Sequence, residues 1–226
     1  MSLDAPSASH TPPTPGAIMR RLNRLILSLV SLALGAVLAG CSMNHTVKDD
    51  YPQYLQNNIG ASKLPKTGLS ATYELTPATA THKYEFRSAM AGYANNWVIE
   101  FGELLDATLR SQDVQQAFAK LDKRAPSDPP ALLVFDLASY TFEGFSAHVD
   151  LNVTIQRPGA KPVVKNYKQT GVSQGGKMFW AGVFGMKNAI QQSTKNALDK
   201  IMASLLADLN AMSPAGQSLQ KSISNS

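Results

Sequence analysis

The chain has a single cysteine, Cys41, in 226 residues. One thiol can neither close an intrachain disulfide nor give zinc a cysteine pair, so the fold must be held by its core. Histidine is nearly as scarce: His10, His45, His82 and His148 are the full set, and all precede Ser173. Charged residues make up 16% of the chain, and no three Lys or Arg are consecutive. That scatter lacks the clustered basic footprint of a nucleic-acid-binding surface. No apolar run reaches the roughly 20 residues that a permanent membrane-crossing helix needs.

One shorter apolar run has distinctive neighbours. Residues 1–18 (MSLDAPSASHTPPTPGAI) are rich in Pro, Ser and Thr and offer nothing to bury. Arg20, Arg21 and Arg24 then precede LILSLVSLALGAVLA, Leu25 to Ala39, which carries no charge. A basic segment, an apolar segment of this length and small residues at its end form a secretory signal peptide. Residues 1–40 are read as that signal, with Met19 as the expected start and 1–18 as either an extension ahead of it or a dispensable part of the basic segment. Setting 1–40 aside removes three Arg and one Asp, which leaves 18 Lys and Arg against 15 Asp and Glu. The working protein is therefore only mildly basic.

Leu38-Ala39-Gly40-Cys41 resembles the lipobox of bacterial lipoproteins at all four positions. The resemblance implies a thioether-linked diacylglycerol on Cys41, cleavage before it, and a third acyl chain on the new amino terminus. Two chains already anchor a protein stably, at about 0.8 kcal/mol per buried CH₂. Ser42, where an Asp would retain the protein, resembles lipoproteins sent on to the outer membrane. The competing account, a buried cysteine ending a core helix, conflicts with the polar SMNHTVKDD that follows at once.

Beyond the cysteine, residues 41–68 read as a lipidated tether, with two prolines, two glycines and no apolar periodicity. Residues 69–210 read as one domain and 211–226 as a disordered tail. In FSAHVDLNVTIQ, Phe145 to Gln156, apolar and polar residues alternate without a break, which predicts a strand with one buried and one wet face. ALLVFDLASYTF before it predicts a partner strand, joined through a turn at Glu143-Gly144. Arg157-Pro158-Gly159-Ala160 predicts the next turn, leading to an edge strand bearing Lys165 and Lys168. LSATYEL and HKYEFRSA are further strand candidates. NNWVIEFGELLDATL predicts a helix capped by Asn95 or Asn96, with Trp97 on its apolar stripe. Residues 111–121 either extend that helix or form a short one of their own. NAIQQSTKNALDKIMASLLADL predicts a second helix with a capping box at Asn188 and Gln191. The expected fold is an α+β two-layer sandwich, a mostly antiparallel meander packed by two amphipathic helices.

Chemical motifs fail on inspection. GVSQG, Gly171 to Gly175, fits a G-x-S-x-G elbow, but no histidine follows Ser173 as that fold's triad order requires. GVSQGGKM fits a phosphate loop except that Met178 stands where a hydroxyl should meet Mg²⁺. LLVFD, ending at Asp136, precedes that loop and leads into a hairpin. His148 and Asp150 share a strand face, which a solvated surface explains better than a metal. No catalytic residue, metal site or cofactor is expected.

GGKMFWAGVFGMKN, Gly175 to Asn188, remains. Phe179, Trp180, Val183, Phe184 and Met186 sit among four glycines. The stretch is either a helix start packing into the core or a pliable apolar loop that meets a partner or ligand. Phe179, Trp180, Phe184 and Met186 are the candidate contact residues.

Element order over residues 69–209, with a meander and a long Ala-rich C-terminal helix (Ala189, Ala197, Ala203, Ala207), is similar to lipoproteins that accompany ABC-type lipid transporters and to YajG-like lipoproteins. The resemblance implies a non-enzymatic accessory subunit facing the periplasm. The expected function is that of a lipid-anchored accessory or scaffold lipoprotein with an envelope protein partner and no nucleic acid. The alternative is a lipoprotein that binds a lipid or small apolar ligand.

Overall fold

A computed structural model describes residues 43–88, 92, 94–124, 131–174 and 182–212. Among these residues, eight strands form two mixed sheets, one of three strands and one of five. The α+β class expected from the sequence is the class observed.

The five-stranded sheet is built around the expected meander. β6 (Leu132–Glu143), β7 (Ser146–Gln156) and β8 (Val163–Val172) pair antiparallel, with β8 at the edge. Ala147, Val149, Leu151, Val153 and Ile155 of β7 are all buried, as strict alternation demands. The β6–β7 turn sits one residue later than expected, at Gly144 and Phe145, both with positive φ. A two-residue turn of this kind suits the twist of the strands it joins. At the other end Ala160 closes on the Arg157 carbonyl through Gly159 at φ 71°. On its far side β6 pairs in parallel with β2 (Ser70–Leu75), which pairs in parallel with β5 (Lys120–Lys123). The sheet is thus mixed rather than a plain meander, because the long crossover from β2 to β5 lets both run the same way.

The three-stranded sheet contains the largest departures. β1 (Met43–Thr46), β4 (Asn95–Glu100) and β3 (Lys83–Arg87) stand in the order β1-β4-β3. Trp97 is in β4, not in a helix. It is fully buried with Val98 and Ile99 beside it, because a central strand covered on both faces reads as a continuous apolar run. Asn95 and Asn96 are therefore strand residues rather than caps. The helix, α3, spans Phe101–Leu109, and the short helix α4 (Gln112–Gln115) is separate from it. A single turn, α2 (Pro77–Ala80), is capped by Thr76, whose hydroxyl accepts from the Thr79 amide.

Residues 43–57 are not a tether. After β1 a 3₁₀ turn (Lys48–Asp50) leads into α1 (Tyr51–Asn57), and Val47, Tyr51 and Leu55 are buried in the main core. The stretch from 58 to 68 is strapped down as well. Ser62 Oγ donates to Asp199 at 2.8 Å, and the Thr67 amide donates to the Ala117 carbonyl at 2.7 Å. The folded body therefore includes residues 43–68 rather than starting near residue 69.

The C-terminal helix, α5 (Gly182–Ala211), lies across β8 and β7. It begins six residues before Asn188, so the expected capping box is interior to it. It approaches the sheet closely at Gly171, where a Cβ would stand 1.9 Å from the Ser193 carbonyl oxygen and 2.4 Å from the Ala197 nitrogen. Opposite, the Tyr140 and Thr194 hydroxyls are hydrogen-bonded at 2.8 Å in the buried interior. The tail beyond residue 212 lies outside the described residues.

Two substitutions test these placements. Tyr51→Ala should lower the unfolding free energy by about 3–5 kcal/mol, the range for emptying a buried aromatic site, whereas a tether residue would move it by less than about 0.5 kcal/mol. Gly171→Ala should cost about 1–3 kcal/mol or more by driving α5 off the sheet. Denaturant midpoints of the purified chain and its variants measure both.

Candidate functional site

The sequence candidates separate. Cys41, Phe179 and Trp180 lie outside the described residues, as does the phosphate-loop-like Gly175 to Met178. Phe184 is 84% exposed in the first turns of α5, while Met186 is 4% exposed and part of the core. Two residues along a helix rotate the side chain by about 200°, so one cannot reach solvent beside the other. Met186 is a packing residue rather than a contact residue, and Phe184 alone of the described pair faces outwards.

Ser173 serves the turn between β6 and β7. Its amide and its hydroxyl both donate to the Phe145 carbonyl, at 3.2 and 2.8 Å. Phe145 is the one non-glycine residue with positive φ among the described residues. A left-handed conformation costs an L-residue roughly 1–2 kcal/mol, and the serine clasp helps hold it. His148 Nδ1 is 2.9 Å from Thr170 Oγ1 across the strand pair. Asp150 accepts from Asn166 at 2.6 Å, and Asp136 accepts from the Thr76 hydroxyl at 2.9 Å. Each is engaged in cross-strand or capping contacts. Among the described residues no three His, Cys, Asp or Glu side chains gather as a metal site would require.

A cleft of about 550 Å³ was not visible in the sequence. One wall comes from the 48–59 segment, including Leu55 and Ile59, and the other from α3 and α4, with Lys195 of α5 at its margin. Its cations are already partnered. Lys48 is 2.9 Å from Glu100, Arg110 pairs with Asp106, and Lys195 is 2.6 Å from Asp199 and hydrogen-bonds Ser62. The Glu100 hydrogen bond raises the Lys48 pKa, and the Tyr73 hydroxyl beside Arg110 raises that guanidinium's. An incoming anion would have to displace an internal carboxylate. Asp113 closes the cleft by accepting from the Gly60 and Ser62 amides at 2.8 and 3.2 Å. Burial disfavours its charge, yet those amides outweigh burial and hold its carboxyl below the usual range.

Residues 41–68, expected to be aperiodic, carry one trace of how the segment is seated, though not of the cleft itself. Val47, Tyr51, Leu55 and Ile59 recur every four residues, a helical stripe diluted by the polar residues between them. Among the described residues, the large apolar side chains left exposed are Ile59 in this cleft, Val164, Met43, Val172 and Phe184.

Asp113 supplies a pH test. Its lowered folded pKa gives stability that is present above the ordinary carboxylate pKa of about 4 and lost as pH falls through the folded value. Asp113→Asn should cost about 1–2 kcal/mol at neutral pH. It should also flatten the acid limb of the stability curve below about pH 4. Thermal or urea unfolding across pH reads both.

No family model matches the chain, and no curated protein matches it. Among solved structures it is similar to the crystal structure of a Xanthomonas campestris protein described as DUF330. The two share 9% sequence identity at a TM-score of 0.40, over 67% of this chain and 92% of that one. The likeness is distant and assigns neither a family nor an activity to this chain.

Proposed function

We propose that this chain is an exported bacterial lipoprotein, held by acyl chains on Cys41 at the outer membrane, facing the periplasm. There it acts without catalysis, as an accessory or scaffold subunit of an envelope assembly or transport system. The observation that carries the reading is Leu38-Ala39-Gly40-Cys41 at the end of an uncharged run led by three arginines. The domain adds support in three ways. Its tempting serine is a turn clasp, its cleft cations are internally paired, and no helix among the described residues is long and apolar enough to cross a membrane. A lipid anchor would therefore supply the membrane attachment that the described helices lack. The ligand-binding alternative has the cleft as its seat, with Leu55, Ile59 and Ala107 among its lining and its cations paired to internal carboxylates.

The test is metabolic labelling with a fatty-acid probe in a bacterial host, followed by membrane fractionation and capture of envelope proteins on the full chain. The native protein should take up probe and fractionate with the outer membrane, and Cys41→Ser should lose both. Equal probe in the two forms would reject the anchor. Probe uptake with lipid but no envelope protein in the captured material would favour the ligand-binding alternative.

A further inference from the structure

Strand direction gathers several features at one end of the domain. β6 and β3 run towards that end side by side, with Tyr84 against Tyr140 at 5.6 Å and Phe86 against Phe142 at 5.2 Å between ring centres. β4 and β1 consequently run away from it, so Met43 is placed there, its amide donating to the Ala94 carbonyl at 2.9 Å. The β6–β7 turn lies at the same end, and β8 finishes there with Val172 opposite Ser146. α5 runs back along β8, since Ser193 and Ala197 meet Gly171 while Asp208 accepts from Tyr167 at 2.8 Å. Its first turns, with Phe184, are thus at this end too. The Lys187–Asp50 pair ties them to the segment descending from β1.

Apolar exposure concentrates at this end. Phe184 is 84% exposed, and Met43 and Val172 are 55% exposed each. Of the remaining exposed large apolar residues, Ile59 lines the cleft and Val164 is at the opposite end of β8. Cys41 precedes Met43 by two residues, which reach about 7 Å at full extension.

We propose that this end rests on the lipid surface, with Phe184 entering the boundary between headgroups and acyl chains beside the anchor on Cys41. The inference rests on the lipoprotein reading and adds to it a second, non-covalent membrane contact and a fixed orientation. A seven-ångström leash leaves no slack, so the anchored end is held at high effective concentration against the bilayer. Apolar side chains presented there bury area in the interface that water would otherwise cover. Exposed Glu143 and Asn44 at the same end keep the contact at headgroup depth. Phe184 is the most exposed of the three and offers the largest apolar side chain to the interface.

The experiment uses the full-length chain in cells whose phospholipids carry labelled phosphate. Phe184, Val172 and, as the distal control, Val164 are replaced one at a time by p-benzoylphenylalanine, and each sample is also scored for fatty acid on Cys41. Photolysis should give labelled phospholipid adducts at 184 and 172 in several-fold excess over 164. Equal adducts at the three positions, or adducts from 184 to protein alone, would overturn the inference. Acylated Cys41 without phospholipid adducts at 184 would reject the resting face and leave the lipoprotein reading intact. Absence of acyl label from Cys41 would reject both.

Discussion

The structure depends on how closely α5 can lie on the sheet. Where β8 passes beneath the helix, the residue is Gly171, and the helix backbone occupies the space a side chain would need. That approach lets Tyr140 reach Thr194, and it buries Ser193 and Thr194 completely. A helix this deep is covered on its outer side as well, where Ser62 spans to Lys195 and Asp199. Sheet, helix and strap therefore form three successive layers, each set by the one beneath it. Gly102 repeats the device on a smaller scale. A Cβ there would lie 2.5 Å from the carbonyl oxygens of Thr79 and Ala80, so α3 can pack against the α2 turn only as glycine.

This layering explains which parts of the fold were legible in the sequence. β7 could be read residue by residue, since one face is core and the other is solvent. The stripe of α5 was legible for the same reason, although its polar residues mislead. Ser193 and Thr194 are buried by the close approach to the sheet, and Lys195 because the strap covers a face that an ordinary amphipathic helix would expose. Trp97 failed for the opposite cause. Trp97, Val98 and Ile99 continue into Phe101, Leu104 and Leu105, and a doubly buried strand running straight into a helix mimics a longer helical stripe. Apolar spacing alone cannot separate the two when no turn residue stands between them.

The 41–68 stretch shows a different limit. Pro52, Pro65, Gly60 and Gly68 advertise a linker, and they are indeed at the first turn of α1 or in the strap. What composition hides is that three buried side chains, Val47, Tyr51 and Leu55, suffice to seat the segment once α3 offers a surface. The Tyr51–Thr108 hydrogen bond at 3.2 Å then fixes the register of α1 on α3. Candidate contact residues divided along similar lines. Phe184 and Met186 looked equivalent in a glycine-rich run, and helical rotation alone sends one to solvent and the other to the core.

The loss of the tether changes how such a protein could work. Under the proposed acylation of Cys41, β1 starts only two residues beyond the anchor, and the domain would have no long arm on which to leave the membrane. Under the same proposal a partner would come to the surface and meet the faces that the domain leaves open there. The outer face of β7 and β8 is one, a polar ladder in which Asn166 bridges Asp150 and Asn152. The edge of β8 is another, guarded by Lys165 and Lys168 against indiscriminate strand pairing. A short leash thus exchanges reach for orientation. That exchange accords with the scaffold role proposed above, in which the same face is presented every time.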